Sequence, residues 1–225
     1  MNRGCIIVAG GNGTRMGSEL PKQFISIAGR PLLMHTIENF FHFDPTIQLI
    51  VVLPKNEIVS WNNLCLQHNF TIPHQVSTGG NTRFQSVKNG LTMLHDCELI
   101  AIHDGVRPLV SHDTLRRCFD GALKMGSAIP VLPANESVRI GTLGKSTPAD
   151  RSQIFLVQTP QIFRSSIIRE SYNQSWIPEF TDDASVVEYS GTPVTLVIGN
   201  RENIKITFPE DLEIATLFLK SKIPS

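Results

Sequence analysis

The sequence predicts an α/β fold: a mostly parallel, twisted sheet with helices on both faces. Three features predict it. Short runs rich in β-branched residues, Gly4 to Gly10, Ile47 to Pro54 and Glu98 to Gly105, are apolar on both faces, as strands between two helix layers are. Longer segments with helical spacing separate them, a βαβαβα order that implies parallel pairing. Directly after the first run comes VAGGNGTRMGSELPKQ, Val8 to Gln23, a glycine-rich loop at the position where open α/β sheets bind ligands.

The first helix spans Pro31 to Phe43, with proline suited to its first turn. The second spans Asn56 to His68 and the third Thr82 to Leu94, each with one apolar face. A fourth starts near Ser111 and stops at Gly126, after which SAIPVLP resumes strand character. From Pro133 to Asp150 large apolar residues are few, and Gly141 and Gly144 bracket a hairpin turn. A hairpin with so little core is either a flap or a protruding β-arm, at about residues 134–152, that gains its buried area from a partner subunit; we favour the arm. QIFLVQTPQIF follows, then helices near Arg164 to Gln174 and Asp182 to Tyr189, the strand PVTLVIG, and a last helix from Pro209 to about Lys220. Residues 1–225 read as one domain without internal repeats.

With 41% hydrophobic and 18% charged residues in 225, the chain can bury one sizeable core. Lys+Arg and Asp+Glu both number 20, so there is no field of one sign to hold nucleic acid or an acidic membrane, and any phosphate affinity must be local. Cys5, Cys65, Cys97 and Cys118 lie far apart and suggest neither a disulfide framework nor a zinc site. The early apolar run CIIVA is too short for a signal-peptide core and no window approaches a membrane span, so the expected location is the cytoplasm.

Within the glycine loop, Gly10, Gly11, Gly13 and Gly17 let backbone N–H groups approach an anion. It is not a Walker loop, because Thr14 and Arg15 follow Gly13, nor a dinucleotide fingerprint, because Met16 stands where glycine is needed. A plain tight turn is the alternative. Arg15 and Lys22 favour a triphosphate, since two converging cations neutralise charge that builds during phosphoryl transfer.

In IHDGVRP, His103 and Asp104 end another parallel strand and so share the rim with the glycine loop. His103 reads as a packed strand-end histidine rather than a base. Asp104 is either a magnesium ligand or a loop-capping acid, and Arg107 either clamps a phosphate or pairs with a surface carboxylate. STGGNTRFQSV puts Gly79 and Gly80 at a strand end and Arg83 and Ser86 in the next helix's first turns. There Asn81 or Thr82 caps the helix, or free backbone groups around Gly80 read the edge of a base. In TDDASVVEY, Thr181 reads as an N-cap, with Asp182 and Asp183 at the positive end of the helix dipole. Lys205 lies in the strand-like NIKIT, where a basic side chain is unexpected unless it faces a cleft, and Arg151 follows the arm as a cation of open role.

Together and in this order, GGNGTRMGSELPKQF, GGNTRFQSV, HDGVRP, QTPQIF, TDDASVVEYSG and NIKITFPEDL make the whole chain resemble the 2-C-methyl-D-erythritol 4-phosphate cytidylyltransferase family. The resemblance implies a Rossmann-like nucleotidyltransferase fold, a homodimer joined through the β-arm, and a divalent cation, usually Mg²⁺. It implies transfer of a cytidylyl group from CTP to methylerythritol phosphate in non-mevalonate isoprenoid biosynthesis. Arg15 and Lys22 would stabilise charge at the α-phosphate of CTP, with Lys205 a further catalytic cation. CTP would lie along Ala9, Gly10, Gly11, Gly13 and Thr14 and against Gly80, Asn81 and Ser86. Asp104 would meet the metal or the substrate hydroxyls. Arg107, Thr159 and Thr181 would line the acceptor pocket, with Ser137 and Arg151 reaching in from the partner's arm.

Two positions depart from the family pattern: Asn81 replaces a commonly acidic residue, and Gly105 and Val106 stand where two alanines are common. Ribitol 5-phosphate cytidylyltransferases share the glycine loop and similar HD..RP motifs, so ribitol phosphate is the alternative acceptor; a non-catalytic nucleotide-binding module is the alternative class. The chemistry fits a site without a dedicated base, because a substrate phosphate with a second pKa of about 6 is already ionised at neutral pH.

Overall fold

Strand β1 (Arg3–Val8) lies at the centre of an eight-stranded sheet, between β4 (Gln48–Leu53) and β6 (Leu99–Asp104), and is parallel to both. The computed structural model describes residues 1–10 and 20–221, so Gly11, Gly13, Thr14 and Arg15 lie outside the described residues. Beyond β4 comes β5 (Gln75–Thr78); beyond β6 come β11 (Gln161–Arg164), β7 (Ser127–Pro133) and β10 (Phe155–Val157), while β12 (Leu196–Ile198) also pairs with β7. All of these strands run one way except β10 and β11, which are antiparallel to their neighbours.

Alternate residues of each central strand face opposite helix layers, which is why the strands are apolar on both sides. Cys5, Ile7, Leu49, Val51 and Ala101 pack with α1 (Leu32–Phe43), with α4 (His112–Met125) and with Trp61 of α2 (Ile58–Gln67). Ile6, Ile50, Val52, Ile100 and Ile102 pack with α3 (Arg83–Met93), α5 (Ser165–Ser171) and α6 (Asp183–Tyr189). A smaller cluster of Ile27, Leu32, Val106, Leu109 and Ile206 lies beneath α7 (Pro209–Ser221).

Helix α4 begins and ends where its signals put it: Ser111 Oγ accepts the Thr114 N–H, and Gly126 closes the helix at φ +92°. The expectations for Pro31 and for the run around Lys205 need correction. Pro31 ends the short ladder of β2 (Ser26–Ile27) and β3 (Arg30–Pro31) and caps α1 rather than entering it. Between them in sequence, QIFLVQTPQIF holds two strands, β10 and β11, separated around Pro160, which has no N–H for a ladder. The run around Lys205 is not a strand, because the Thr207 and Phe208 N–H groups turn to the Asp211 carboxylate at the head of α7.

The arm is a hairpin of β8 (Val138–Thr142) and β9 (Lys145–Ala149), closed by Leu143 and Gly144, with Gly144 at φ +87°. Ile140 and Leu143 are exposed on it.

Candidate active site

Three loops leave the carboxyl ends of β1, β5 and β6 on one rim, each tied near its start by a backbone N–H to a neighbouring strand. Ala9 N–H donates to the Val52 carbonyl at 2.9 Å, Gly79 N–H to Leu53 at 2.7 Å and Gly105 N–H to Val8 at 2.8 Å. The strand β11 adds a fourth loop: being antiparallel, it presents the residues before it, including Thr159, to the same rim. Thr159 Oγ1 accepts the Asp104 N–H at 3.0 Å.

A cleft of about 270 Å³ opens between these loops, lined by Ala9, Gly10, Lys22, Gly80, Asn81 and Ser86, among others. Lys22 begins a short 3₁₀ turn anchored by Phe24, which is buried and stacked on Trp61 at 5.9 Å. Thr82 caps α3 by accepting the Gln85 N–H at 3.0 Å, leaving Asn81 to the cleft. The Gly80 N–H is not free to read a base, since it donates to Ser86 Oγ at 3.1 Å, and Ser86 in turn donates to the Thr82 carbonyl at 2.9 Å. Glycine is required at this position because a Cβ would run into the Gln85 side chain.

A second cleft, of about 300 Å³, is lined by Arg107, Thr159, Thr181 and Asp182. Thr181 is not the cap expected of it: Asp182 caps α6, accepting the Ser185 N–H at 2.9 Å in a reciprocal capping box, so Thr181 is left to face the cleft. Among the described residues, three line both clefts: Arg83, Asp104 and Lys205.

This shared wall is an ionic cluster. Asp104 Oδ2 lies 3.1 Å from Lys205 Nζ and 3.3 Å from Arg107 Nε, while its Oδ1 is 4.0 Å from Arg83 Nε. Burial alone would push the Asp104 carboxyl up, but Arg83, Lys205 and Arg107 outweigh burial and hold it well below the usual carboxylate range. An ionised acid ringed by cations at the meeting of two clefts can gather and align anions.

Behind it, His103 is completely buried, with Phe40 edge-on at 4.9 Å. Its Nε2–H donates to the Arg107 carbonyl at 2.9 Å, which leaves Nδ1 to accept from the Thr159 hydroxyl at 3.1 Å. Burial lowers its pKa to about 4, so it is a neutral structural imidazole, as its strand-end position suggested.

Ser137 and Arg151 lie on the exposed arm and line neither cleft of their own chain; Arg151 Nη1 donates to the Asn135 carbonyl at 2.7 Å. The residue sequence reasoning missed is Arg83. A signal existed: a cation in the first turn of a helix opposes the dipole and needs an acid partner. That partner is the fully buried Asp183, gripped at 2.9 and 2.6 Å.

A doubly wound sheet whose rim carries a glycine turn, converging cations and an ionised aspartate defines a nucleotide-binding α/β protein with a second pocket for an anionic partner. The family model for 2-C-methyl-D-erythritol 4-phosphate cytidylyltransferase matches residues 4–221, and the chain belongs to that family. It is 51% identical over 219 residues to the protein of that name from Bacteroides fragilis, covering 97% of this chain and 100% of the relative. The Geobacter metallireducens protein of the same name is 37% identical over 228 residues, at 97% and 98% coverage. Among solved structures, the 2-C-methyl-D-erythritol 4-phosphate cytidylyltransferase of Thermus thermophilus superposes with a TM-score of 0.79 at 29% identity, covering 98% of this chain and 100% of that one. The 4-diphosphocytidyl-2C-methyl-D-erythritol synthase of Anaerococcus prevotii gives 0.81 at 25% identity, covering 97% and 98%.

Proposed function

We infer that this protein transfers the cytidylyl group of CTP to 2-C-methyl-D-erythritol 4-phosphate, releasing pyrophosphate, in non-mevalonate isoprenoid synthesis. The observation that carries this is the pair of clefts joined by one wall of Arg83, Asp104 and Lys205. CTP occupies the cleft at the glycine turn, and the acceptor phosphate lies between Arg107, Thr159 and Thr181. The acceptor phosphate is largely ionised above its second pKa of about 6 and attacks the α-phosphorus without a base. Lys22, Lys205 and Arg15 screen the repulsion between the two anions and the charge that grows on the leaving pyrophosphate.

Asp104 is the one acid among the described residues lining the nucleotide cleft, and no cluster of three metal-ligating side chains occurs among the described residues. That donor set fits Mg²⁺, which takes one or two carboxylates and fills its shell with phosphate oxygens and waters. Asp104 would be the protein's ligand, and the ion would neutralise triphosphate charge. The exposed arm supports a homodimer in which Ser137 and Arg151 complete the partner's acceptor pocket. The free cysteines support a cytoplasmic enzyme. Among the described residues, no helix is long and apolar enough to cross a membrane.

The test is pyrophosphate release from CTP and Mg²⁺ with methylerythritol 4-phosphate and ribitol 5-phosphate in parallel. Release with the first alone is expected. Release with ribitol 5-phosphate alone would overturn the acceptor, and CTP binding without release in either would leave a nucleotide-binding module.

A further inference from the structure

Arg83 is the one member of the shared wall whose role is unassigned, and it also ties the two clefts together mechanically. It is the first residue of α3, directly after the turn Gly80–Thr82 that forms one wall of the nucleotide cleft. Its Nη1 and Nη2 fork onto both oxygens of Asp183, the first residue of α6, directly after the Thr181–Asp182 wall of the acceptor cleft. Asp183 is fixed in turn by the Tyr172 hydroxyl, which donates to its Oδ1 at 2.7 Å, and Tyr172 stacks on Phe84, the next residue of α3, at 4.6 Å. The remaining Nε–H faces Asp104 Oδ1 at 4.0 Å, beyond hydrogen-bond reach but close enough to act on its charge.

Arg83 thus links all three parts that must be in register for in-line transfer: the nucleotide turn through its own backbone, the acceptor wall through the fork onto Asp183, and the rim aspartate through charge. The Arg83 side chain is still 28% exposed, against 0% for that of Asp183, and it lines both clefts, so the cation sits on a buried acid at the cleft wall. A bidentate fork fixes both distance and angle, which a point cation such as lysine cannot do.

We propose that Arg83 is a positioning residue that makes binding of the two substrates interdependent, the Arg83–Asp183 fork setting the spacing between the nucleotide wall and the acceptor wall. The inference rests on the cytidylyl-transfer reading. Ordering one wall with the first substrate pre-orders the other through the fork, so the second binds more tightly. A misplacement of about 1 Å between reacting groups costs on the order of 10²-fold in rate.

The experiment compares wild type, Arg83→Lys and the double variant Arg83→Met/Asp183→Asn. The double variant removes both charges and keeps an acceptor for Tyr172; replacing a buried pair is far milder than breaking one. Three quantities are read: the urea midpoint, kcat and KM for each substrate, and methylerythritol 4-phosphate affinity with and without an α,β-methylene CTP analogue that binds but cannot transfer. The expected result is a near-wild-type midpoint for the double variant, kcat lower by about 10²-fold, and an affinity gain from the analogue that is present in wild type and lost in both variants. If the double variant is too unstable to assay, Arg83→Lys, which retains the charge without the fork, carries the test alone.

Unchanged kcat and analogue effect in the variants would overturn the proposal. So would a kcat loss with the analogue effect intact, which would make Arg83 act on the reaction without coupling the substrates, or a rise in one KM alone, which would make it a simple contact. No analogue effect in wild type would also overturn it. A wild type that binds both ligands interdependently but releases no pyrophosphate would instead strike the transfer reading and leave the coupling standing.

Discussion

Lys22 and His103 belong to the same rim and do opposite work, one toward the ligand and the other toward the fold. Lys22 is half-buried at the cleft mouth, outside the apolar core, so Lys22→Ala is expected to leave the fold intact and lower kcat by about 10²-fold, the scale of one lost transition-state donor. Turnover near wild type at an unchanged melting temperature would refute that role. His103, buried and neutral, makes stability depend on acidity. The unfolded imidazole takes a proton below about pH 6.5, the folded one only near 4. Between those values the unfolded chain holds more protons, so the contribution is complete above about pH 6.5 and falls as pH drops towards 4, by at most about 3 kcal/mol. Urea unfolding at pH 7 and at pH 4.5 checks this. His103→Gln, which keeps a donor for the Arg107 carbonyl but cannot titrate, should flatten the difference; an equally steep loss in the variant would assign it to other groups.

At the scale of elements, the nucleotide cleft depends on how closely α3 lies on the sheet. Gly90 sets that distance, since a Cβ there would come within 2.7 Å of Ile6 Cγ2 on β1 and 3.2 Å of Val52 Cγ2 on β4. Gly90→Ala should cost about 1–3 kcal/mol from overpacking and raise the KM for CTP by lifting the helix that carries Ser86 and Arg83. A KM unchanged in a destabilised variant would uncouple helix seating from the cleft. The helices α1, α3 and α4 and the strands β1, β4 and β6 were legible in the sequence because one apolar face per helix, or two per strand, is a periodic signal. Strand β12 falls within PVTLVIG, where a strand was expected, but β10 is three residues long, pairs with β7 alone among strands and is exposed, so it carries no such period. The walls of the nucleotide cleft were legible where Gly80 follows one strand and Asp104 ends another, since both lie at strand ends on one rim. The Arg83–Asp183 fork was not, because its partners are 100 positions apart and only the fold joins them. The caps show the limit of local reading: Thr181 and Asp182 both suit the role, and the extended backbone of Asp182, at φ −152° and ψ −176°, decides between them.

At the scale of the whole molecule, one chain leaves apolar surface uncovered around the arm. Ile140 and Leu143 on the hairpin, Phe155, Leu156 and Val157 of β10, and Leu196 and Ile198 of β12 are all exposed. Surface of this kind calls for a partner, and a second copy of the chain would supply both cover for it and the two arm residues that neither cleft contains. Light scattering should therefore give a dimer at assay concentration, and a fully active monomer would end the proposal. A sharper test asks whose Arg151 serves which site. Lys22→Ala and Arg151→Ala subunits are each expected to be nearly inactive as homodimers. If Arg151 acts on the partner's site, unfolding the two together and refolding them creates mixed dimers. In these, the chain with intact Lys22 receives an intact Arg151 from its partner, restoring one wild-type site per mixed dimer, while the other site carries both defects. If Arg151 acts within its own chain, every site in every dimer keeps one defect and no activity returns. Recovery on co-refolding, absent when the variants are merely mixed without subunit exchange, is the expected result.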